Sequence, residues 1–223
     1  MSDGPVPDGA PRRVTRRRAE TRDRLLAAAL DVFAERGIGA TTVEQVCERA
    51  GYTRGAFYSN FSTVEELFFA LYEQHAALIL DRIRHGLSAV RDAAESAGDP
   101  IESTVEIFLA QASYDRVWWL VTTEYVLHAA RHPDAAARLS TLRKQVREQL
   151  VEVATTALTR VGRTPAISPE DLVRILIALH EGGLLQSYVE PDAVGWDRLE
   201  RLAFPHVIRG LTTEPSDPAE ASS

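Results

Sequence analysis

Between Thr41 and Phe61 the chain reads TTVEQVCERAGYTRGAFYSNF, a stretch with helix start signals, apolar stripes and a glycine stop in quick succession. Thr42 is placed to cap a first helix, and Gln45 three residues on can reach back to complete a capping box. Val43, Val46, Cys47 and Ala50 follow at the i, i+3, i+4, i+7 spacing of one apolar face, so this helix packs inward. Gly51 ends it. Thr53 can cap a second helix, on which Phe57 and Phe61 fall four apart on one side. Arg54, Tyr58, Ser59 and Asn60 are left as candidates for the opposite side. Two short helices joined by a tight turn fit a DNA major groove, with the second offering its N-terminal end and polar side chains to the duplex.

Charge along the chain agrees with that unit. The net charge of -7 is wrong for a DNA binder until it is divided, because residues 1–60 hold ten basic and eight acidic residues and the remainder holds 15 and 24. Within the positive end, Arg12 to Arg24 has seven arginines against Glu20 and Asp23, the local charge expected of a segment that approaches phosphates. The plain alternative is a solvated basic tail. A helix from about Arg16 to Arg36 presents Leu26, Ala29, Leu30 and Phe33 on one stripe, stops at Gly37, and should pack behind the two shorter helices.

The order of these segments carries a resemblance. A basic lead-in (RRRAETRDR), a helix ending LDVFAERG, the segments TTVEQVCERAG and YTRGAFYSNF, and a helix opening STVEELFFALY together resemble the N-terminal domain of TetR-type transcriptional regulators, over roughly residues 15 to 75. The resemblance implies an all-α homodimer that binds a palindromic operator through its helix-turn-helix and carries an effector pocket in a helical-bundle body. It implies that Thr41 and Thr42 meet the DNA backbone. Such proteins usually carry a lysine at the start of the fourth helix that meets a phosphate; Val64 stands there in this chain and offers no charge for that contact. Beside it, the residues themselves nominate Arg54 as base reader, since arginine prefers guanine, with Tyr58, Ser59 and Asn60 on the same helix. Thr53 and Gly55 would place backbone amides near phosphate, and Arg16, Arg17 and Arg18 would enter a minor groove or track phosphates.

Outside that unit nearly every apolar pattern is helical and no run reads as a strand. Residues 1–14 and 213–223 are expected as disordered tails, 15–61 as the DNA-binding domain and 62–212 as the ligand-binding and dimerisation domain. A capping box of Ser62 with Glu65 should open a helix to about Ala94, broken by SAGDP. Further helices are expected at about 100–112, 115–131, 134–161, 168–189 and 193–211. In the last of these Pro205 should kink the helix or end its first half near Phe204. The helix after Ser168 is apolar around most of its circumference, which calls for cover on two sides. Leu172, Ile175, Leu176, Leu179, Leu184, Leu185 and Tyr188 on it, with Trp196, Leu199 and Leu202 beyond, are the candidates for a dimer seam; a helix buried within one chain is the alternative.

Enzymatic signatures are missing from the sequence: no GxGxxG, no GxxxxGK[ST], no HExxH and no GxSxG. Neither a metal site nor a cofactor is expected, since His128 and His132 share a helix face without a nameable third ligand. The lone Cys47 reads as a small buried side chain. No stretch approaches the roughly 20 apolar residues of a membrane span, and the N-terminus has no apolar signal region, so a cytoplasmic location is expected. Nine of the 16 aromatics lie between residues 61 and 130. Adjacent Trp118 and Trp119 point about 100° apart on a helix, so one of them can line a cavity. Phe69, Tyr72, Phe108, Trp118, Trp119, Glu124, Tyr125, His128 and Gln186 are the candidate lining of a pocket for a small lipophilic effector, against ordinary core packing as the plain reading. A transcriptional regulator, more a repressor than an activator, is the function expected. A helical protein-binding adaptor and a helical enzyme are its rivals.

Overall fold

Gly37 and Gly51 both take left-handed backbone angles, with φ of 80° and 72°, and they set where the first two helices stop. The computed structural model describes residues 10–89, 99–111 and 115–214, and these are all-α apart from one short ladder. Helix α1 spans Ala10–Arg36, α2 Val43–Ala50, α3 Arg54–Tyr58, α4 Val64–Ala89, α5 Pro100–Gln111, α6 Arg116–Arg131, α7 Pro133–Arg160, α8 Pro169–Val189 and α9 Arg198–Leu211. Thr164–Pro165 (β1) pairs antiparallel with Thr212–Thr213 (β2), in the register Thr164 to Thr213. Strands were not expected. The ladder exists because Arg163 donates to the hydroxyl and carbonyl of Thr212, holding the end of the last helix against the segment after α7.

Several boundaries differ from the periodicity. Helix α1 begins at Ala10, six residues before Arg16, so the basic lead-in is helical rather than an extended arm. Helix α4 is capped by Thr63, whose hydroxyl accepts from Glu66 N at 3.0 Å, while the Glu66 carboxylate accepts from Ser62 N at 2.7 Å. The expected pairing of Ser62 with Glu65 is therefore displaced by one residue, and Glu65 is released for another use. The expected end of this helix at Ala94 and the first three residues of SAGDP lie outside the described residues, as do residues 1–9 and 215–223; of the expected disordered tails, residues 10–14 are instead helical in α1 and Thr213 is paired in β2. Helix α9 starts at Arg198 rather than 193, after turns at Glu190 to Gly195, and continues through Pro205 to Leu211 without ending there. Pro205 is buried, and its missing N–H removes one bond to the preceding turn.

The chain divides into two compact units that do not follow a boundary at residue 61. One comprises Met1–Gln74 with Val117–Ala136, the other His75–Arg116 with Ala137–Ser223. In the first, α1 packs on α2 around Leu25, Leu26, Val32, Phe33, Val46 and Phe57, all at most 2 % exposed. Phe68 of α4 stacks on Tyr125 of α6 at 4.2 Å and meets Phe33 edge-on. The Tyr125 hydroxyl donates to the freed Glu65 carboxylate at 2.6 Å. In the second unit, Ile101, Val105, Leu109 and Phe204 form a core that receives Leu176 and Leu179 of α8. Glu200 is buried there, with His180 Nδ1 3.1 Å from its Oε1.

Candidate nucleic-acid interface

The two-helix unit forms as its caps require. Thr42 Oγ1 accepts from Gln45 N at 3.3 Å and Gln45 Oε1 accepts from Thr42 N at 3.0 Å, so both halves of the box are made. Val46, Cys47 and Ala50 are buried against α1, and burial pushes the Cys47 thiol above its ordinary range. Thr53 Oγ1 accepts from Ala56 N at 3.2 Å, which starts α3. That helix is a single turn and a half, and buried Phe57 and Phe61 pin it from below. Arg54, Gly55 and Tyr58 are left exposed at its outer face, Tyr58 by 51 %.

Arg54 is not loose. Its Nη1 lies 3.0 Å from Glu44 Oε1 on α2, and its guanidinium sits 5.9 Å from the centre of the Tyr58 ring. Tyr58 and then Glu44 push the guanidinium still further above its ordinary range. The Glu44 carboxyl is held below its ordinary range by a backbone N–H of its own helix turn, with Arg54 and Thr42 adding to the effect.

Other candidates are put to different uses. The Ser59 hydroxyl donates to Ala56 O at 2.9 Å, and the Asn60 amide donates to the same carbonyl at 2.8 Å, so both close the end of α3. Arg18 Nη2 donates to Ser59 O at 2.9 Å and braces that end from α1. Arg22 lies over Phe61 and Arg24 over Tyr52, so three arginines of the basic run hold the unit together. Arg16 is exposed and pairs with Glu20 one turn on, and Arg17 is exposed. Thr42 is exposed beside the α2 cap, whereas Thr41 is buried and donates its hydroxyl to Gly37 O at 2.7 Å, a use inside the turn rather than on its surface.

The effector candidates fall in both units. Phe69, Tyr72, Trp118, Trp119, Glu124, Tyr125 and His128 belong to the first unit, and Phe108 and Gln186 to the second. Tyr125 is core, at 1 % exposure. Glu124 is structural: its Oε1 accepts from Ile38 N at 3.0 Å, under the turn that Gly37 makes. His128 is exposed and its ring stacks on His132 at 4.2 Å. Phe108 packs on Phe204, and Gln186 is exposed. Tyr72 and Trp118 touch at 5.4 Å, half-buried beside half-buried Phe69 and Trp119, and these four remain compatible with a lining. Among the described residues no three His, Cys, Asp or Glu side chains are grouped as metal ligands, and no helix is long and apolar enough to cross a membrane.

The seam candidates divide by exposure. Leu172 and Leu184 are buried and Leu176 and Leu179 pack on the α5–α9 core, while Leu199 and Tyr188 are half-buried. Ile175, Leu185, Trp196 and Leu202 are exposed at 38–57 %, joined by Val189, which the sequence argument had not singled out for the seam. The other residues that sequence reasoning missed are Glu44, Arg18 in its bracing role, and the Glu124 contact with Ile38. None has a local spacing signal, because each acts across a gap that only the fold closes.

A capped two-helix unit with an exposed arginine and tyrosine on its second helix, followed by a helical body, defines a helix-turn-helix regulator. Residues 25–71 match the model of the bacterial regulatory proteins of the tetR family, and residues 97–212, more than half of the chain, match that of the BetI-type transcriptional repressor C-terminal region. The chain belongs to the TetR family of transcriptional regulators, a family of DNA-binding proteins rather than enzymes. It is 34 % identical over 87 residues to the transcriptional activator FasR of Mycolicibacterium smegmatis, covering 39 % of this chain and 40 % of FasR. It is 31 % identical over 90 residues to the regulator AcrR of Shigella flexneri, covering 40 % and 39 %. The chain thus spans about two fifths of the length of these curated relatives. A TetR-family regulator from Mesorhizobium loti shares the fold, with a TM-score of 0.65 at 16 % identity over 87 % of this chain and 96 % of that one.

Proposed function

We propose that two copies of this chain bind a palindromic operator, each placing α3 in a major groove, and that a small lipophilic molecule held by the body releases them. The observation that carries the reading is the outer face of α3, where Arg54 and Tyr58 stand exposed on a helix fixed at both ends. A rigid frame with two exposed polar side chains is what groove reading needs, because bases are told apart by where donors and acceptors are held. Thr42, Thr53 and Gly55 lie at the exposed helix starts and suit phosphate contacts, with Arg16 and Arg17 flanking them. In this reading Ser59 and Asn60 set the end of α3 and touch DNA, if at all, through their remaining acceptor and donor atoms.

Exposed Ile175, Leu185, Val189, Trp196 and Leu202 support pairing through α8 and α9, since large apolar side chains left in water are what a second copy would cover. Half-buried Phe69, Tyr72, Trp118 and Trp119 support an aromatic effector site. The match of the body to a BetI-type repressor favours repression. Operator DNA as target places the protein in the cytoplasm. Footprinting on the DNA flanking its coding sequence tests the reading: two symmetric protected half-sites about 34–36 Å apart are expected. Equal affinity for every duplex of the same length would overturn it.

A further inference from the structure

Arg54 is the only charged side chain on α3, and an arginine on so short a helix has many rotamers to lose before it can read a base. The structure answers with two supports from fixed positions. Glu44 sits in the first turn of α2, which its own capping box anchors, and its Oε1 engages Arg54 Nη1 at 3.0 Å. Tyr58, one turn along α3, supports the guanidinium from its ring face. A guanidinium has five N–H donors in a planar fork, so occupying one edge with a carboxylate leaves another edge with two parallel donors. Two parallel donors are the complement of guanine O6 and N7.

From this juxtaposition we propose that Glu44 is a specificity-determining positioning residue, holding the Arg54 fork so that its outer edge meets a guanine in each operator half-site. The proposal rests on the operator-binding reading above. Arg54 and Glu44 side chains are 62 % and 56 % exposed, so the pair is weak in free protein and open to a duplex. When the groove closes over it and water leaves, the same ion pair strengthens, and it does so where alignment decides discrimination. Glu44 cannot serve affinity by itself. A carboxylate beside the phosphates repels the duplex, so its presence weakens binding to all DNA and is offset only by selectivity.

The test uses the full-length protein as wild type, Glu44→Ala, Glu44→Gln, Arg54→Ala and the Glu44→Ala/Arg54→Ala double variant. Affinities are measured for the footprinted operator and for a panel in which each half-site position is substituted in turn. Glu44→Ala should tighten binding to non-operator duplex yet cut discrimination about tenfold at one guanine per half-site, the same position that Arg54→Ala relaxes. Glu44→Gln, which keeps an acceptor oxygen at the same reach, should recover part of that discrimination. In the Arg54→Ala background, Glu44→Ala should change no preference at all. Uniform tightening across the panel would overturn the proposal and make Glu44 a mere repulsive neighbour, leaving the operator reading intact. An equal loss of discrimination with and without Arg54 would also overturn it. A wild-type chain with no footprint overturns the operator reading, and this proposal with it.

Discussion

Gly37→Ala tests how α6 supports the turn that leads into the DNA-binding helices. Gly37 has φ of 80°, and a Cβ built there would lie 2.6 Å from Glu124 Oε1 and 2.9 Å from Oε2. An alanine meets two costs. Left-handed backbone costs an L residue ~1–2 kcal/mol. The Glu124 carboxylate, as the end of a flexible side chain, then swings away and gives up its bond from Ile38 N. A hydrogen bond to a charged group is worth about 1.5–3 kcal/mol, and the half-buried setting selects the lower end. The total is ~3 kcal/mol, a fall in melting temperature of roughly 6–12 °C for a chain of this size. Urea unfolding in a Trp196→Phe background would report through Trp118 and Trp119 on α6, within the affected unit. Glu124→Ala alone should cost ~1.5 kcal/mol, and almost nothing when added to Gly37→Ala, because the bond is already gone. A cost below about 0.5 kcal/mol for Gly37→Ala, or full additivity of the two changes, would refute the account.

The other expectations follow from single contacts. Tyr125→Phe keeps the stack on Phe68 but loses the bond to Glu65, so stability should drop by ~1–2 kcal/mol in the same unfolding assay. Leu185→Glu should give a folded monomer by sedimentation, since Leu185 is 51 % exposed, whereas Leu176→Glu strikes the core and should yield insoluble or unfolded chain. Burial holds the His75 imidazole well below its ordinary 6.5, at about 4, against the pull of Asp115 and with help from Arg82. The unfolded chain therefore binds the proton first, and stability contributed at neutral pH should be lost as pH falls from about 6.5 toward 4. Unfolding midpoints of His75→Gln should show less of that loss than wild type. Phenylalanine at Trp118, followed by ligand-induced fluorescence change and operator release, checks the effector site: both signals should shift over one concentration range.

The helical order of the chain was legible in the sequence because caps and stops are local. Thr42 with Gln45, Thr53, Gly37 and Gly51 each act within four residues, and each does in the structure what its spacing implies. Ser62 failed because Thr63 is an equally good cap one residue on, and spacing alone does not choose between them. The site was only partly legible for a related reason. Ser59 and Asn60 look like readers on a helical wheel, but polar side chains at the end of a very short helix find its free carbonyls first. Glu124 and Tyr125 read as pocket residues because composition shows polar and aromatic groups together. That their partners are Ile38 and Glu65 depends on α6 returning to the N-terminal unit, which no local pattern announces.

That return has a consequence for anyone who treats the reader as a detachable module. A fragment ending at residue 74 would be a natural choice for an isolated DNA-binding head, yet it omits the stretch Val117–Ala136 that completes the same compact unit. Phe68 would lose its stacking partner, and Ile38 N–H and Glu65 would lose theirs. Chimaeras that graft this chain's operator specificity onto another body should therefore carry α6 along with α1 to α4, and transplants spliced at a single crossover will join halves that were never one piece.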